Sequence, residues 1–430
     1  MEDALPPNWL QCQSKSTGKP YWFNTATGAS VYTRPTVSAA PPPAKRARDE
    51  DAPPPSAPAV SDDRGTALRV AAAYDGLEDR GRAGRAESRI LHLRNFNNWV
   101  KAQLISAFAG RACSRVLDLA CGKLGDLQKW KLAGVREYCG VDISRTGLED
   151  AVARLAGADE TTKRNISFKL VRADLGITDL SAAGVFAPHE RFDAISCQFA
   201  IHYFFQTEAR ALTFFRNIAG RLAPGGVFVG TTTDADVLIR RLRDVAGAAP
   251  RDARGAGAAA DEQPRGWSNR FYSVAFPAAS VRAQWALGAH PFGVQYRFFL
   301  TESVDSIDEY LVPWVLLERL ARAAGLEPIA NDNFHAFFNR ALAAGGAERA
   351  LLARMGALDC EGTMSAEEWE VAGNYRIFAF RAAGGAVADA LPPMSVLVPE
   401  QERKVPAALT PLAYRTRPGV ADIIDLIGDA

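Results

Sequence analysis

The 430-residue sequence has few cysteines and no long apolar run, and both absences narrow its class. Its six cysteines are scattered without a CxxC pair, most of them in apolar segments where a reduced thiol packs as a small hydrophobic side chain. This usage indicates a reducing compartment, and we expect no bound metal. No stretch reaches the about 18 apolar residues of a membrane span. The opening MEDALPPNW lacks the basic and apolar regions of a signal peptide, so we expect no membrane contact.

The chain also has no marked excess of basic or acidic residues. Lys and Arg number 50 and Asp and Glu number 49, so the formal net charge is +1. Long-range attraction to a polyanion is therefore not built into the chain as a whole. If the protein handles RNA, we expect it to hold one end locally. With 48% hydrophobic residues the chain has the composition of a folded protein with a substantial core.

Shifts in composition divide the chain into segments. We predict an aromatic-rich module at 5–36, a disordered Pro/Ala-rich linker at 37–67, a globular body at 68–382 and a disordered tail at 383–430. The low-complexity stretch at 246–266 is predicted to be a mobile insertion in the body.

Within the body, short β-rich runs alternate with segments of helical periodicity. The runs are RVLDLAC, EYCGVDIS, ISFKLVRAD, FDAISCQFA and GGVFVGTTT. This alternation predicts an α/β, Rossmann-like fold with a mostly parallel sheet and helices on both faces. Ligands of such sheets bind beyond the carboxyl ends of the strands, where backbone N–H groups face them.

The stretch DLACGKLGDLQKW follows the first strand and so occupies this ligand-binding position. It lacks the G-x-G-x-x-G pattern that admits a pyrophosphate, although Gly122 and Gly125 still permit a tight turn. Acidic Asp118 and Asp126 favour a cationic ligand. S-adenosylmethionine carries an ammonium and a sulfonium and no phosphate, so it suits this turn better than a nicotinamide cofactor does.

Two more acids end the neighbouring strands. Asp142 is placed to accept hydrogen bonds from both ribose hydroxyls, and Asp174 is placed near the adenine. Taken singly, the glycines are compatible with an ordinary β–α turn and Asp142 with a surface carboxylate. Turn and acids together predict an S-adenosylmethionine-dependent methyltransferase.

A series of longer motifs runs through the body. It begins with LRNFNNWVKAQLI at 93–105 and continues with VLDLACGKLGDLQKW, GVDIS, SCQFAIHYFF, PGGVFVGTT with LIRRL, DEYLV and EEWEVAGNYRIFAFR. Over about residues 88–382 this series closely resembles eukaryotic mRNA cap guanine-N7 methyltransferases. The first strand and turn are generic to class I methyltransferases, whereas LRNFNNWVK and CQFAIHYFF are specific to the cap family. The resemblance implies methyl transfer from S-adenosylmethionine to N7 of the terminal guanosine of capped RNA, with S-adenosylhomocysteine as product.

The resemblance also implies a residue set for each ligand. The residues expected to line the S-adenosylmethionine pocket are Lys101, Asp118, Ala120, Gly122, Asp142, Asp174 and Gln198. Those expected to hold and position the guanosine cap are Asn97, His202, Tyr203, Glu309 and Tyr375. The family usually has glycine at the positions of Ala120 and Leu124 and proline at that of Thr233, which puts pocket shape and affinity in question.

The chemistry of the cap agrees with positioning rather than acid–base catalysis. Guanine N7 carries a lone pair and no proton, so no general base is needed. Glu309 is suited to accept hydrogen bonds from the guanine N1–H and exocyclic amine, which would select guanine over adenine. Tyr203 and Tyr375 offer aromatic faces to a base that becomes cationic. The alternatives are a core pair for His202 and Tyr203, strand packing for Tyr375 and a helix-start carboxylate for Glu309.

The segment LPPNWLQCQSKSTGKPYWFNTATGASVYTRP has two turns between three predicted short strands and resembles a WW domain. The resemblance implies a proline-clasping groove formed by Tyr21 and Tyr32, the latter at a position where the family normally has tryptophan. Ser14 and Lys15 lie in a loop similar to that of phosphoserine-proline-binding WW domains. The expected ligand is a Pro-rich or phosphoserine-proline peptide such as the RNA polymerase II tail. The chain's own proline-rich linker and a hairpin without ligand are the alternatives.

The remaining predictions concern partners and location. No K-x-D-G motif occurs, so a separate guanylyltransferase must add the cap. The tail ADIIDLIGDA resembles a SUMO-interacting motif, and a disordered or self-packed tail is an equal alternative. KRAR at 45–48 fits either a nuclear import signal or a solvated linker, and we expect a nuclear protein. Two rival functions remain open: a non-catalytic adaptor that binds capped RNA, and a methyltransferase for another acceptor.

Overall fold

A computed structural model of the chain describes residues 9–13, 20–24, 30–31, 63–76, 87–110, 113–246, 264–283, 291–383, 412–414 and 423–427. The chain divides into two compact units, Met1–Val60 and Ser61–Ala430. In the first unit, β1 (Trp9–Gln13), β2 (Pro20–Asn24) and β3 (Ser30–Val31) form an antiparallel sheet in that order. The three predicted strands of the N-terminal module are therefore confirmed.

The second unit contains the remaining helices and strands. In chain order these are α1 (Asp63–Asp75), α2 (Leu91–Phe108), β4 (Arg115–Leu119), α3 (Leu127–Leu132), β5 (Glu137–Asp142), α4 (Arg145–Ala156), α5 (Glu160–Asn165), β6 (Ser167–Arg172), β7 (Phe192–Gln198), a 3₁₀-helix (Ile201–Gln206), α6 (Glu208–Ala219), β8 (Leu222–Thr233), α7 (Ala235–Ala246), β9 (Arg265–Ser268), β10 (Tyr272–Phe276), α8 (Ala278–Ala283), β11 (Gln295–Leu300), β12 (Val304–Tyr310), α9 (Trp314–Ala323), β13 (Leu326–Asn333), α10 (Phe334–Ala344), α11 (Gly346–Arg354), α12 (Ala366–Ala372), β14 (Tyr375–Ala382), β15 (Leu412–Tyr414) and β16 (Ile423–Asp425). Among the described helices, none has the length and apolarity needed to cross a bilayer.

Nine strands form the main sheet, in the order β13-β14-β8-β7-β4-β5-β6-β16-β15. Strands β8, β7, β4, β5 and β6 are mutually parallel, and β14 runs antiparallel between β8 and β13. The five β-rich runs of the sequence correspond to strands β4 to β8. Successive residues Val116 and Leu117 of β4 belong to different apolar clusters, as expected for a sheet that helices cover on both faces. The predicted α/β architecture is confirmed.

A second, antiparallel sheet in the order β12-β11-β10-β9 was not predicted. Its strands are short, and buried and more exposed positions alternate along β10 and β11. This pattern is typical of a sheet with one face toward the core and one toward solvent. The sheet matters for the site because Phe298 on β11 and Glu309 on β12 both line the cavity described below.

Two segment predictions differ from the structure. Helix α1 begins at Asp63, inside the stretch predicted to be a disordered linker. The tail predicted to be disordered contains β15 and β16, and Ile423–Asp425 pairs in parallel with β6. Part of the tail therefore packs on its own domain, which was one of the alternatives. The insertion at 246–266 lies mostly outside the described residues.

The turn after β4 holds three residues in the left-handed region. Ala120 and Leu124 have φ of 57° and Gly122 has φ of 50°. Residues other than glycine rarely adopt this conformation. The glycines that the resemblance leads us to expect at the positions of Ala120 and Leu124 would therefore suit the backbone here. Leu124 is 0% exposed and belongs to the apolar core, so its side chain packs inward and does not line the cavity.

The two left-handed positions should respond oppositely to glycine. We expect Ala120→Gly to raise the free energy of unfolding by about 0.5–1 kcal/mol, because it removes backbone strain at the cost of one methyl group. We expect Leu124→Gly to lower it by about 2–4 kcal/mol, because the lost buried side chain outweighs the same relief. Denaturant unfolding of the full chain measures both. A destabilised Ala120→Gly variant would contradict the strain at this turn.

Candidate active site

A cavity of about 670 Å³ lies at the carboxyl ends of the parallel strands, within the range of about 300–1,000 Å³ of small-molecule sites. Residues at or just after the ends of β4, β5, β6 and β7 line it. The predicted cofactor residues in its wall are Lys101, Ala120, Gly122, Asp142, Asp174 and Gln198. The predicted cap residues in its wall are Asn97, His202, Tyr203, Glu309 and Tyr375. The structure thus brings six of the seven predicted cofactor residues and all five predicted cap residues together around one cavity.

Asp142 is held rigidly at the end of β5. Its Oδ2 accepts a hydrogen bond from the Gly122 backbone N at 2.7 Å, and its Oδ1 accepts one from the Ser144 N at 2.8 Å. Burial raises the pKa of Asp142, and the backbone donors oppose that rise. A carboxylate offers about four lone-pair sites, so acceptor capacity remains beyond its backbone donors. The arrangement is suited to accept hydroxyl donors from a ligand in the cavity.

Asp174 and Gln198 are also oriented by their neighbours. Both Asp174 oxygens accept hydrogen bonds from the buried Arg210, at 2.8 and 3.1 Å, and Oδ1 accepts another from the Gly176 N at 2.9 Å. The Gln198 side chain donates to the Ser196 hydroxyl at 3.2 Å. Asp174 therefore lines the cavity as a carboxylate whose charge is balanced by Arg210.

The acids of the first turn need a correction. Asp118 does not line the cavity; it is a buried residue of β4, and Tyr138 of β5 donates a hydrogen bond to it. Burial, with a contribution from Asp126, raises the pKa of Asp118 to about 7. Burial alone would raise the pKa of Asp126 too, but Lys101 and Lys129, at 2.8 and 2.7 Å, lower it overall. The two acids therefore present less free negative charge to a ligand than the sequence indicates.

The other end of the cavity is buried and nearly neutral. Tyr296 donates a hydrogen bond to Glu309 Oε2 at 2.7 Å, and burial raises the pKa of Glu309 to about 8. His202 Nε2 lies 3.5 Å from Glu309 Oε1, and neither ring nitrogen makes a hydrogen bond. Burial lowers the pKa of His202 to about 3, so its ring is neutral at physiological pH. Across the described ranges, no His, Cys, Asp and Glu side chains gather in threes as a metal site would need.

Thr233 joins this end of the cavity from β8. Its hydroxyl lies 2.6 Å from that of Tyr296, which in turn donates to Glu309. The residue that stands where the family usually has proline thus anchors the tyrosine that orients the acid. From the sequence, the missing proline put the shape of the pocket in question. In the structure, the Thr233 hydroxyl has a defined partner in Tyr296.

Aromatic rings and one unsatisfied amide complete the wall. The Tyr375 ring meets Phe199 edge-on at 5.1 Å between centroids, and the Tyr203 hydroxyl lies 3.0 Å from that of Tyr74. The Asn97 side-chain oxygen is buried without a hydrogen-bond partner. A buried acceptor left open at a cavity wall points to a ligand that donates to it.

Sequence reasoning missed several residues of the wall. Tyr74 comes from α1, Arg210 from α6 and Phe298 from the unpredicted sheet. None follows a parallel strand, so no strand-end pattern marks them. One signal was available for Arg210: it precedes Ala211 and Phe214 on the buried face of α6, where an arginine needs an acidic partner.

The predicted peptide site lies largely outside the described residues. Ser14, Lys15 and Tyr32 are not among them, and Tyr21 is described only as a residue of β2, opposite Cys12 of β1. Their roles stay predictions.

Comparison with known proteins adds a family to this geometry. The profile described as the mRNA (guanine-N(7))-methyltransferase domain matches residues 60–383, and a WW domain profile matches residues 5–35. The mRNA cap guanine-N(7) methyltransferase 1 of Oryza sativa subsp. japonica is 36% identical over 75% of this chain and 84% of its own length. The protein of the same name from Arabidopsis thaliana is 34% identical, over 74% and 82%.

Two more distant similarities are also found. The mRNA cap guanine-N(7) methyltransferase of Drosophila melanogaster is 31% identical over 73% of this chain and 76% of its own length. A solved S-adenosylmethionine-dependent methyltransferase from Clostridium acetobutylicum aligns at 13% identity with a TM-score of 0.36, over 74% of this chain and 99% of that one. On the profile match and the relatives, this chain belongs to the mRNA (guanine-N7) methyltransferase family and carries a WW domain at its N-terminal end.

Proposed function

We propose that this chain transfers a methyl group from S-adenosylmethionine to N7 of the terminal guanosine of the mRNA 5′ cap. The observation that carries the proposal is that one cavity, in a chain of this family, is lined by six of the seven residues expected to bind the cofactor and by all five expected to bind the cap. Adjacent ligands are what a direct transfer between them requires.

The residues of the strand-end half of the cavity fit the cofactor. Asp142 offers lone pairs to ribose hydroxyls, and Asp174 with Arg210 borders the space expected for adenine. When bound, S-adenosylmethionine supplies a methyl group on a positively charged sulfur. The contribution of this chain is to bind and orient. The Gly122 and Ser144 backbone N–H groups donate to the Asp142 carboxylate and so hold the turn after β4 and the end of β5 together.

The other half of the cavity suits guanine. We assign to Glu309 the hydrogen bonds from the N1–H and exocyclic amine of the base. His202, neutral because burial lowers its pKa to about 3, lies 3.5 Å from Glu309. Tyr203 and Tyr375 offer ring surface to the base. Because N7 has no proton to lose, none of these side chains has to act as a base.

A label-transfer assay tests the reaction. The full chain is given S-adenosylmethionine labelled in the methyl group together with GpppG-capped RNA, and RNA whose cap already carries the N7 methyl group is the control. We expect label on the first RNA only. Cap binding without transfer would establish the adaptor instead, and label on the control RNA would indicate another acceptor.

Substitution of Glu309 should separate the two ligands. We expect Glu309→Ala to lower kcat/KM for capped RNA by roughly 100-fold, because two hydrogen bonds to guanine are lost. The Kd of S-adenosylhomocysteine, measured by calorimetry, should change less than about twofold, since Glu309 is assigned only to the cap. Equal losses for both ligands would contradict that assignment.

The pKa of Glu309 adds a pH dependence to the same test. With a pKa of about 8 in the ligand-free protein, the side chain is mainly protonated at neutral pH. Only the carboxylate accepts from both guanine donors, so cap affinity should rise from about pH 6.5 to about pH 8.5. Glu309→Gln should bind more weakly and show a flat profile over this window. A wild-type profile equally flat would exclude Glu309 as the titrating group.

We further propose that the WW domain recruits the enzyme to Pro-rich or phosphoserine-proline peptides, with the RNA polymerase II tail as the leading candidate. Tethering to a repeated peptide raises the local concentration of the enzyme near nascent RNA. A separate guanylyltransferase would supply the GpppN end, and a nuclear location would follow from both partners. SUMO is less favoured, because Ile423 and Leu426 of the matching motif are buried in the chain's own domain.

Peptide titration tests the WW proposal. The full chain should bind a phosphorylated Ser-Pro repeat more tightly than the same peptide without phosphate, because Ser14 and Lys15 are assigned to the phosphate. Lys15→Ala should remove the difference, whereas Tyr21→Ala should weaken both peptides. Fluorescence anisotropy measures all of these affinities. Equal wild-type affinity for the two peptides would discard the phosphate site.

A further inference from the structure

The C-terminal strand β16 is built into the sheet that forms the cavity. Ile423, Ile424 and Asp425 pair in parallel with Leu170, Val171 and Arg172 of β6. The pairing continues with a hydrogen bond from the Leu426 backbone N to the Arg172 carbonyl at 2.9 Å.

The burial of β16 is that of a core strand. Ile423 is 1% exposed and Leu426 is 4% exposed. They belong to the two different apolar clusters of the domain, as do neighbouring residues of β4. Both sides of the tail segment therefore contribute to the core, although the segment lies beyond the residues matched by the family profile, which end at 383.

The tail also carries a buried ion pair. Arg172 Nη1 lies 3.1 Å from Asp425 Oδ2, and the side chains are 11% and 2% exposed. The other Asp425 oxygen accepts a hydrogen bond from the Ile427 backbone N at 2.9 Å, which fixes the carboxylate. Removing either partner of such a buried pair is costly, because the other charge is then left desolvated and unpaired.

Arg172 connects this pair to the cavity. Its Nε donates a hydrogen bond to the Ile143 carbonyl at 3.3 Å. Ile143 lies between Asp142 and Ser144, and all three residues line the cavity. The same guanidinium thus binds the tail through one nitrogen and the turn after β5 through another.

Resting on the proposed function, we propose that Asp425 is a positioning residue for the cofactor. Through Arg172 it holds the turn at Asp142, Ile143 and Ser144 in the orientation that presents the Asp142 carboxylate to the ribose. The tail is therefore a working part of the methyltransferase domain, and its removal impairs cofactor binding selectively while leaving the cap end of the cavity intact.

The test compares cofactor and cap parameters in the full chain. We expect Asp425→Asn, which keeps the size of the side chain, to raise the Kd of S-adenosylhomocysteine and the KM of S-adenosylmethionine about tenfold. The kcat and the KM for capped RNA should stay within about twofold, a split that general destabilisation does not produce. Arg172→Gln should have a similar effect, and the double variant should lose less than the product of the single losses.

A matched control lies near the amino ends of the parallel strands, away from the cavity at their carboxyl ends. Glu190 pairs with Arg115 and Lys169 at 3.3 and 3.5 Å, and it does not line the cavity. Glu190→Gln should lower the melting temperature without changing the Kd of S-adenosylhomocysteine. A variant without residues 412–430 serves as the second tail variant, with the melting curve confirming its folded state.

The outcomes distinguish the two proposals. Unchanged cofactor parameters in Asp425→Asn and in the folded tail deletion would overturn the role of the tail and leave the proposed function standing. Failure of the wild-type chain to bind S-adenosylhomocysteine would overturn both. Equal effects of Asp425→Asn and Glu190→Gln on cofactor affinity would reduce the tail to a general stabilising strand.

Discussion

The hydrogen bond from the Gly122 backbone N to Asp142 at 2.7 Å is the interaction on which the site depends. It joins the turn after β4 to the end of β5, so two neighbouring strands share one rigid edge. The left-handed φ at Gly122 belongs to the same turn and lets its N–H meet the acid. With the Ser144 N on its other oxygen, Asp142 is oriented before any ligand arrives. Such pre-organisation lowers the ordering cost of binding.

Electrostatics differ between the two ends of the cavity. At the strand ends, acids are matched by bases: Asp174 by Arg210 and Asp126 by two lysines. At the other end, which we assign to the cap, burial raises the pKa of Glu309 and lowers that of His202, so it favours the neutral form of both side chains. A neutral, buried wall is suited to discriminate between bases, because each hydrogen-bonding group left unsatisfied there is costly. The formal charge of +1 for the whole chain agrees with local rather than long-range recognition.

The repeating β–α alternation could be predicted from the sequence, and so could the site residues that lie at the ends of its strands. Strand runs and helical segments alternate, so the parallel sheet was predictable, and Asp142 and Asp174 could be placed because they end parallel strands. Tyr296 and Arg210 could not, since only the three-dimensional packing of the second sheet and of α6 brings them to the acids. Asp118 was misplaced for the complementary reason: a residue near a strand end can bond to a buried side chain of the neighbouring strand, here Tyr138 of β5, instead of facing the ligand.

The departures from the family pattern bear on whether the site is active or decayed. Each of them has a specific accommodation in the structure. Leu124 fills the core, Ala120 adds only a methyl group to the cavity wall, and Thr233 hydrogen-bonds the tyrosine that orients Glu309. The turn that holds Ala120 and Leu124 keeps backbone donors paired with the neighbouring strand, from Gly122 N to Asp142 at 2.7 Å and from Cys121 N to the Val141 carbonyl at 3.1 Å. These accommodations favour a working enzyme over an adaptor that retains only the shape of one.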